Sequence, residues 1–360
     1  MWLPPYQIVL AAFGLLLGLI PGLPHPRLQA GLILAIFVPA LVFEAALNLN
    51  LDALRAVTRP VALLATAGVL ATIAAVAAVA HLVLRLDWPG ALLLGAILSP
   101  TDPIAVVAVV RGSAAPAKLA ALLEGESLFN DGTGVAAFAA ILAVIASGTI
   151  SVPRIAFGFL FLTAIGAATG AAIGLAGSAV VRRTRSTLLE LLVTILVAYG
   201  SYAAASALGA SGVMAVVVAG VAMAQGGNWG ARTETWWARL ATVLSVVLFT
   251  LIGVGLPSAA VFAQIGAVGL GFLVLSASRL LLVHLPGLGV PPAWRQLLWW
   301  GGVRGALSVV LALAAAGQPG VNPSVPAIAY GVVMLSLLLQ GTAVRPAVRL
   351  LGLDEESGRN

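Results

Sequence analysis

Ser99-Pro100-Thr101-Asp102-Pro103-Ile104 and, further on, Glu124-Gly125-Glu126-Ser127-Leu128-Phe129-Asn130-Asp131-Gly132-Thr133-Gly134 set acids and prolines inside long apolar stretches. An α-helix rises 1.5 Å per residue, so about 20 mostly apolar residues cross the hydrocarbon of a bilayer. The stretches 89–111 and 117–146 are long enough to do so. If the second begins near Ala121, Asp131 lies ~15 Å deep, close to the midplane. Pro100 and Pro103 each remove an amide donor and push the preceding residue out of helical geometry. A helix broken at that depth is tolerated where it lines a cavity or meets an ion, as in secondary transporters.

The rest of the chain shares this apolar character. Of 360 residues, 61% are hydrophobic and 8% charged, where a soluble domain carries roughly 25% charge. Mean hydropathy is +1.11. A soluble enzyme is excluded, and an all-α polytopic membrane protein is expected. Polar, proline and glycine breaks leave twelve predicted spans: 4–22, 28–48, 59–82, 89–111, 117–146, 153–181, 187–208, 212–225, 236–256, 262–284, 294–316 and 325–349. The eighth is short and the fifth and sixth are long, so tilt or interfacial ends are expected. No loop reaches domain size. Residues 1–360 therefore read as one transmembrane domain without a soluble regulatory domain. The opening segment lacks a basic n-region and a small-residue cleavage site, which predicts a retained helix.

Loop charges orient the spans. With both termini cytoplasmic, the inside holds Arg55, Arg59, Arg111, Lys118, Arg182, Arg183, Arg185, Arg232, Arg239, Arg295, Arg345, Arg349 and Arg359. The outside holds Arg27, Arg85 and Arg154. That asymmetry follows the positive-inside rule for a cell-membrane protein with N-in, C-in topology. It also accounts for a pI of 10.7 without nucleic acid as a partner. The absence of cysteine excludes disulfide and thiol chemistry, and His25, His81 and His284 form no ligand-spaced cluster. No G-x-x-x-x-G-K-[ST] is present, which argues against ATP-driven pumping. No cofactor is expected.

Six ionisable residues fall within apolar spans: Glu44, Asp102, Glu126, Asp131, Arg279 and Arg304. Each costs at least ~2.5–3.5 kcal/mol at mid-bilayer, roughly 15–20 kcal/mol together before pairing. Buried ion pairs are the plain reading for Arg279, Arg304 and Glu126. Two bases cannot neutralise four acids, however. At least two carboxylates must be protonated, cation-bound or hydrated, which is what a cation/proton antiporter requires. On a 3.6-residue helix Ser127 and Asp131 share one face, and Glu126 and Asn130 the adjacent one. Gly301-Gly302-Val303-Arg304-Gly305 weakens the eleventh span opposite the broken fourth. Two inverted halves, each with an interrupted helix, produce that pattern.

These segments, together with Phe43-Glu44-Ala45-Ala46-Leu47, resemble the monovalent cation/proton antiporter-1 family. That family includes the NhaP-type sodium/proton antiporters and the animal sodium/proton exchangers. The motifs run in order over nearly the whole chain. The resemblance implies an inverted-repeat fold with interrupted helices 4 and 11, a core domain, a dimerisation domain and a homodimer. It implies exchange of Na+ for H+ by alternating access, with Asp131 as shared carrier. Asn130 before Asp131 implies electroneutral exchange. The implied cation ligands are Asp131, Asp102, Ser127, the Thr101 carbonyl and, through water, Glu44. Arg279 is implied to pair with Glu126, and Arg304 to compensate the crossing near Asp102. Relatives commonly have thirteen helices and a large cytosolic tail. This chain is expected to begin at the second helix and to be without the tail, so regulation by a tail-binding partner is not expected.

Other readings are less well supported. K+ or Li+ could replace Na+, since all prefer oxygen ligands. A cation channel would favour rings of like groups, whereas both signs of charge converge here. Gly209-Ala210-Ser211-Gly212 resembles the nucleophile motif of rhomboid intramembrane proteases. Its base would be His284, which is expected ~30 Å away across the bilayer.

Overall fold

Proline and glycine, more than charge, decide where the helices stop. The computed structural model describes residues 6–18, 20, 29–113, 115–148, 151–184, 186–225, 230–255, 258–285, 287–316 and 318–351. His25, Arg27, Arg185, Arg359, the polar end 353–360 and the side chain of Arg345 lie outside the described residues.

The first helices are α1 (Tyr6–Gly18), α2 (Ala30–Leu47), α3 (Leu51–Arg55) and α4 (Thr58–Leu63). A π-turn at Leu64–Gly68 carries α4 into α5 (Val69–Leu82). Then come α6 (Trp88–Ile97), α7 (Ile104–Arg111), α8 (Ala117–Ala146), α9 (Val152–Val181), α10 (Thr187–Ala207) and α11 (Gly212–Ala224). The remainder is α12 (Ala231–Val254), α13 (Ser258–Ala263), α14 (Ile265–Val283), α15 (Pro292–Trp300), α16 (Ala306–Ala315) and α17 (Ser324–Ser336). A second π-turn at Leu337–Gly341 leads into α18 (Thr342–Leu350).

Every predicted span thus holds a helix, a π-kinked helix or a pair of half-helices. Eight helical runs among the described residues are long and apolar enough to cross a membrane. The fourth and eleventh spans are interrupted, at 98–103 and 301–305. Some boundaries differ from the hydropathy reading. The ninth helix starts at Ala231 rather than 236. Arg232-Thr233-Glu234 reads as loop by polarity, but Thr233 is buried and Glu234 sits in the first turn, where an acid complements the helix dipole. The tenth span divides, with α13 ending one residue before Gln264 and α14 following it.

The short α11 is apolar on all sides and buried accordingly. It packs against α9, whose Gly166, Gly170, Gly174 and Gly177 are buried along one stripe. A Cβ at Gly170 would overlap the Ala215 carbonyl, so only glycine permits this approach. Buried apolar side chains form two clusters. The larger draws chiefly on α4–α8 and α14–α18. The smaller joins α2, α10 and α11 with Trp237 of α12. A cavity of about 600 Å³ lies where they meet.

Candidate ion-binding site

The cavity takes polar groups from the broken segment at 100–103, from α8, from the start of α16 and from Glu44 and Asn48, and apolar ones from the rest of α2 and Leu248. Pro100 and Pro103 leave Pro100 to Asp102 outside both half-helices, between the Ser99 amide, still bonded to the Ala96 carbonyl at 3.3 Å, and the Pro103 carbonyl, which accepts from Val107 N at 2.7 Å. Asn130 of α8 ties this stretch down twice: its Oδ1 accepts from the Thr101 amide at 3.2 Å, and its Nδ2 donates to Thr101 Oγ1 at 2.7 Å. Ser127, one turn earlier, donates its hydroxyl to the Thr101 carbonyl. Thr101, Ser127 and Asn130 are therefore all buried against one another.

Asp102 points into the crossing of the two interrupted helices. Its Oδ1 accepts from the amide of Ile104 at 3.1 Å, capping α7. Its side chain also rests on Gly305, at the start of α16, where an added Cβ would overlap the carboxyl group. Two helix N-termini thus approach one carboxylate, a placement that their dipoles favour.

The arginines divide the remaining work. Arg279 of α14 forms a bidentate, buried pair with Glu126, with Nη2 to Oε2 at 2.8 Å. Its Nε donates to the Leu298 carbonyl at 3.1 Å. Among the described residues Arg304 meets no carboxylate: Nη1 donates to the carbonyls of Ser99 and, at 3.0 Å, Pro100. Those carbonyls follow the C-terminus of α6, where positive charge is favourable.

Glu44 and Asp131 also line the cavity. Glu44 accepts from Asn48 Nδ2 at 2.7 Å. Asp131 Oδ1 is buried and has no hydrogen-bond partner among the described residues. Among those residues, none of Glu44, Asp102 and Asp131 enters a salt bridge. Three intramembrane acids, one more than the charge count demanded, therefore lack a basic partner.

The structure brings Asp131, Asp102, Ser127, Thr101 and Glu44 to one cavity, while Glu126 turns away to Arg279. Such a set of hard oxygens suits a monovalent cation more than a transition metal. Sequence reasoning missed Arg111 and Glu124, which also line the cavity and are bridged at 2.7 Å. Arg111 reads as an ordinary loop charge, and only the folded turn between α7 and α8 brings Glu124 to it. Thr133 was likewise silent. It donates to the Ala65 carbonyl at 2.6 Å, satisfying a group within the first π-turn. Ser211 is spent on a helix cap, accepting from Met214 N at 3.2 Å and donating to the Gly132 carbonyl at 3.1 Å. His284 holds its own helix, with Nδ1 2.9 Å from the Leu280 carbonyl.

Known proteins share this architecture. The family described as sodium/hydrogen exchanger, transmembrane, matches residues 4–350. The chain is 36% identical over 340 residues to the Na(+)/H(+) antiporter NhaP of Pseudomonas aeruginosa, covering 87% of this chain and 79% of that protein. It is 32% identical over 372 residues to the Na(+)/H(+) antiporter ApNhaP of Aphanothece halophytica, covering 97% of this chain and 70% of that protein. In fold it is similar to the sodium proton antiporter MjNhaP1 of Methanocaldococcus jannaschii at pH 8. There the TM-score is 0.78 at 20% identity, over 97% of this chain and 93% of that one. With both interrupted helices in place and its length matched almost throughout, the chain belongs to the sodium/hydrogen exchanger family of transmembrane proteins, within the NhaP-type antiporters.

Proposed function

We propose that this protein exchanges Na+ for H+ across the cell membrane by alternating access, with Asp131 as the group the two ions share. The observation that carries this reading is the buried Asp131 Oδ1, without a partner among the described residues, on the wall of a cavity that also holds Asp102. A carboxylate can be neutralised by a proton or by a coordinated cation, and in so small a site one excludes the other. Protons displace the cation where they are abundant, and the cation returns where they are scarce. Asp102, Ser127 and the Thr101 carbonyl complete the ligand set, and Glu44 contributes through water. Asn130 holds the broken helix against α8 and adds no charge, so one Na+ exchanges for one H+.

The cavity lies between two apolar clusters. Movement of one body against the other would expose the site alternately. Arg111 at the cavity wall belongs to the arginine-rich side of the chain, which supports a cavity open to the cytoplasm and cytoplasmic termini. The protein acts as a homodimer within the lipid bilayer. Glu126 and Arg279 hold the moving body together and do not carry ions.

The test is transport in proteoliposomes. Wild type should show saturable counterflow and sodium-driven proton movement, and Asp131→Asn should show neither while remaining folded. Robust exchange in that variant would refute the assignment of Asp131. Parallel runs with K+ and Li+ assign the cation, and preference for K+ would replace Na+ in the scheme.

A further inference from the structure

One more polar atom without a partner stands on the wall of the same cavity. Ser308, in the first turn of α16, is 0% exposed, and its Oγ has no hydrogen-bond partner among the described residues. It lines the cavity together with Asp102, Ser127 and Asp131.

A serine or threonine within a helix ordinarily settles its hydroxyl on a carbonyl three or four residues back. Ser278 and Thr169 do so here, onto Leu275 and Ile165. For Ser308 the corresponding residues are Gly305 and Arg304, which belong to the irregular segment 301–305. Gly305 is extended, at φ −125° and ψ −158°. The Ser308 hydroxyl settles on neither carbonyl, and has no other partner among the described residues. A buried hydroxyl left in this condition is destabilising unless something in the cavity uses it.

We propose that the Ser308 hydroxyl is a ligand of the transported monovalent cation, supplied by the second interrupted helix. This inference rests on the reading of Asp131 as the cation carrier. It places donors from both sides of the crossing on one ion: Thr101 and Asp102 from the first broken helix, Ser308 from the second, and Ser127 and Asp131 from α8. A neutral hydroxyl can coordinate Na+ without taking up a proton at ordinary pH. Ser308 therefore strengthens the cation's side of the competition and leaves the proton's side unchanged.

The experiment is thermal unfolding of the purified full-length protein, titrated with sodium chloride against choline chloride at constant ionic strength. A cation that binds the folded state raises the midpoint by an amount that grows with the logarithm of its concentration above Kd. Wild type should be stabilised by sodium, and Asp131→Asn should not respond. Ser308→Ala should melt no lower than wild type without sodium, because an unpaired hydroxyl has been removed, yet need about tenfold more sodium for the same rise in midpoint. Ser308→Cys keeps the size but offers a soft sulfur to a hard cation, and should show the same loss. A sodium dependence of the midpoint unchanged in both variants would overturn the role of Ser308 alone. No sodium response in wild type would overturn the parent reading with it.

Discussion

The main-chain amide of Asp102 donates to the carbonyl oxygen of Val303 at 2.7 Å, joining the two interrupted helices where they cross. Four half-helix ends meet at this bond. The carbonyls after α6 receive Arg304, and the amide at the start of α7 is capped by the Asp102 carboxylate. Each charge sits at the pole that attracts it. Non-helical backbone buried in this way is tolerated within a membrane because its polar groups are satisfied by protein.

Arg304 is therefore expected to be structural before it is anything else. Arg304→Met keeps most of the volume and strands two buried carbonyls, which should cost about 2 kcal/mol or more. A fall in the melting midpoint in detergent checks this, and an unchanged midpoint would contradict it.

Glu126→Gln leaves the Arg279 guanidinium buried without its counter-charge. Removing one partner of a buried pair costs about 3–5 kcal/mol, whereas replacing both by apolar groups is often neutral. Thermal stability should drop more than turnover at saturating sodium does, and Glu126→Met with Arg279→Leu should recover much of it. A single variant with full stability and no transport would instead make Glu126 a carrier.

Gly305→Ala places a methyl group on the Asp102 carboxyl. Overpacking of this kind costs about 1–3 kcal/mol, and here the shift falls on a proposed ligand. Half-saturating sodium should rise together with the loss of stability. Transport titrations matching wild type would show that the crossing yields without moving Asp102.

The sign of the pH effect follows from competition. As pH falls, more Asp131 is protonated and more sodium is needed to displace the proton. Where protons dominate, the half-saturating concentration should rise about tenfold per pH unit, the slope for one proton against one cation. It should level off in the alkaline range. Sodium titrations of transport at several pH values measure this, and a half-saturation independent of pH would remove the shared site.

Asn130→Asp should keep the fold, because a carboxylate can still accept from the amide and hydroxyl of Thr101. It also adds a charge beside the carrier. Exchange in wild-type proteoliposomes should be insensitive to a clamped voltage and should become sensitive in the variant. Voltage-dependent exchange in wild type would overturn electroneutrality.

The positions of the helices, the breaks at Pro100–Pro103 and Gly301–Gly305, and the presence of acids inside apolar spans are all legible from residue order. Hydropathy, proline geometry and glycine flexibility act within a few residues of where they are written. The π-turns at Leu64–Gly68 and Leu337–Gly341 were not legible, because each sits inside one continuous predicted span with no proline to mark it. Nor did residue order alone settle which base meets which acid. Arg279 finds Glu126 across 153 residues, while Arg304 finds carbonyls rather than an acid. Nor did it single out Ser308, which looks like any helical serine until its hydroxyl is found on the cavity wall without a partner among the described residues. Such partnerships depend on which surfaces pack together. They are energies between distant segments, and only the tertiary structure brings those segments within reach.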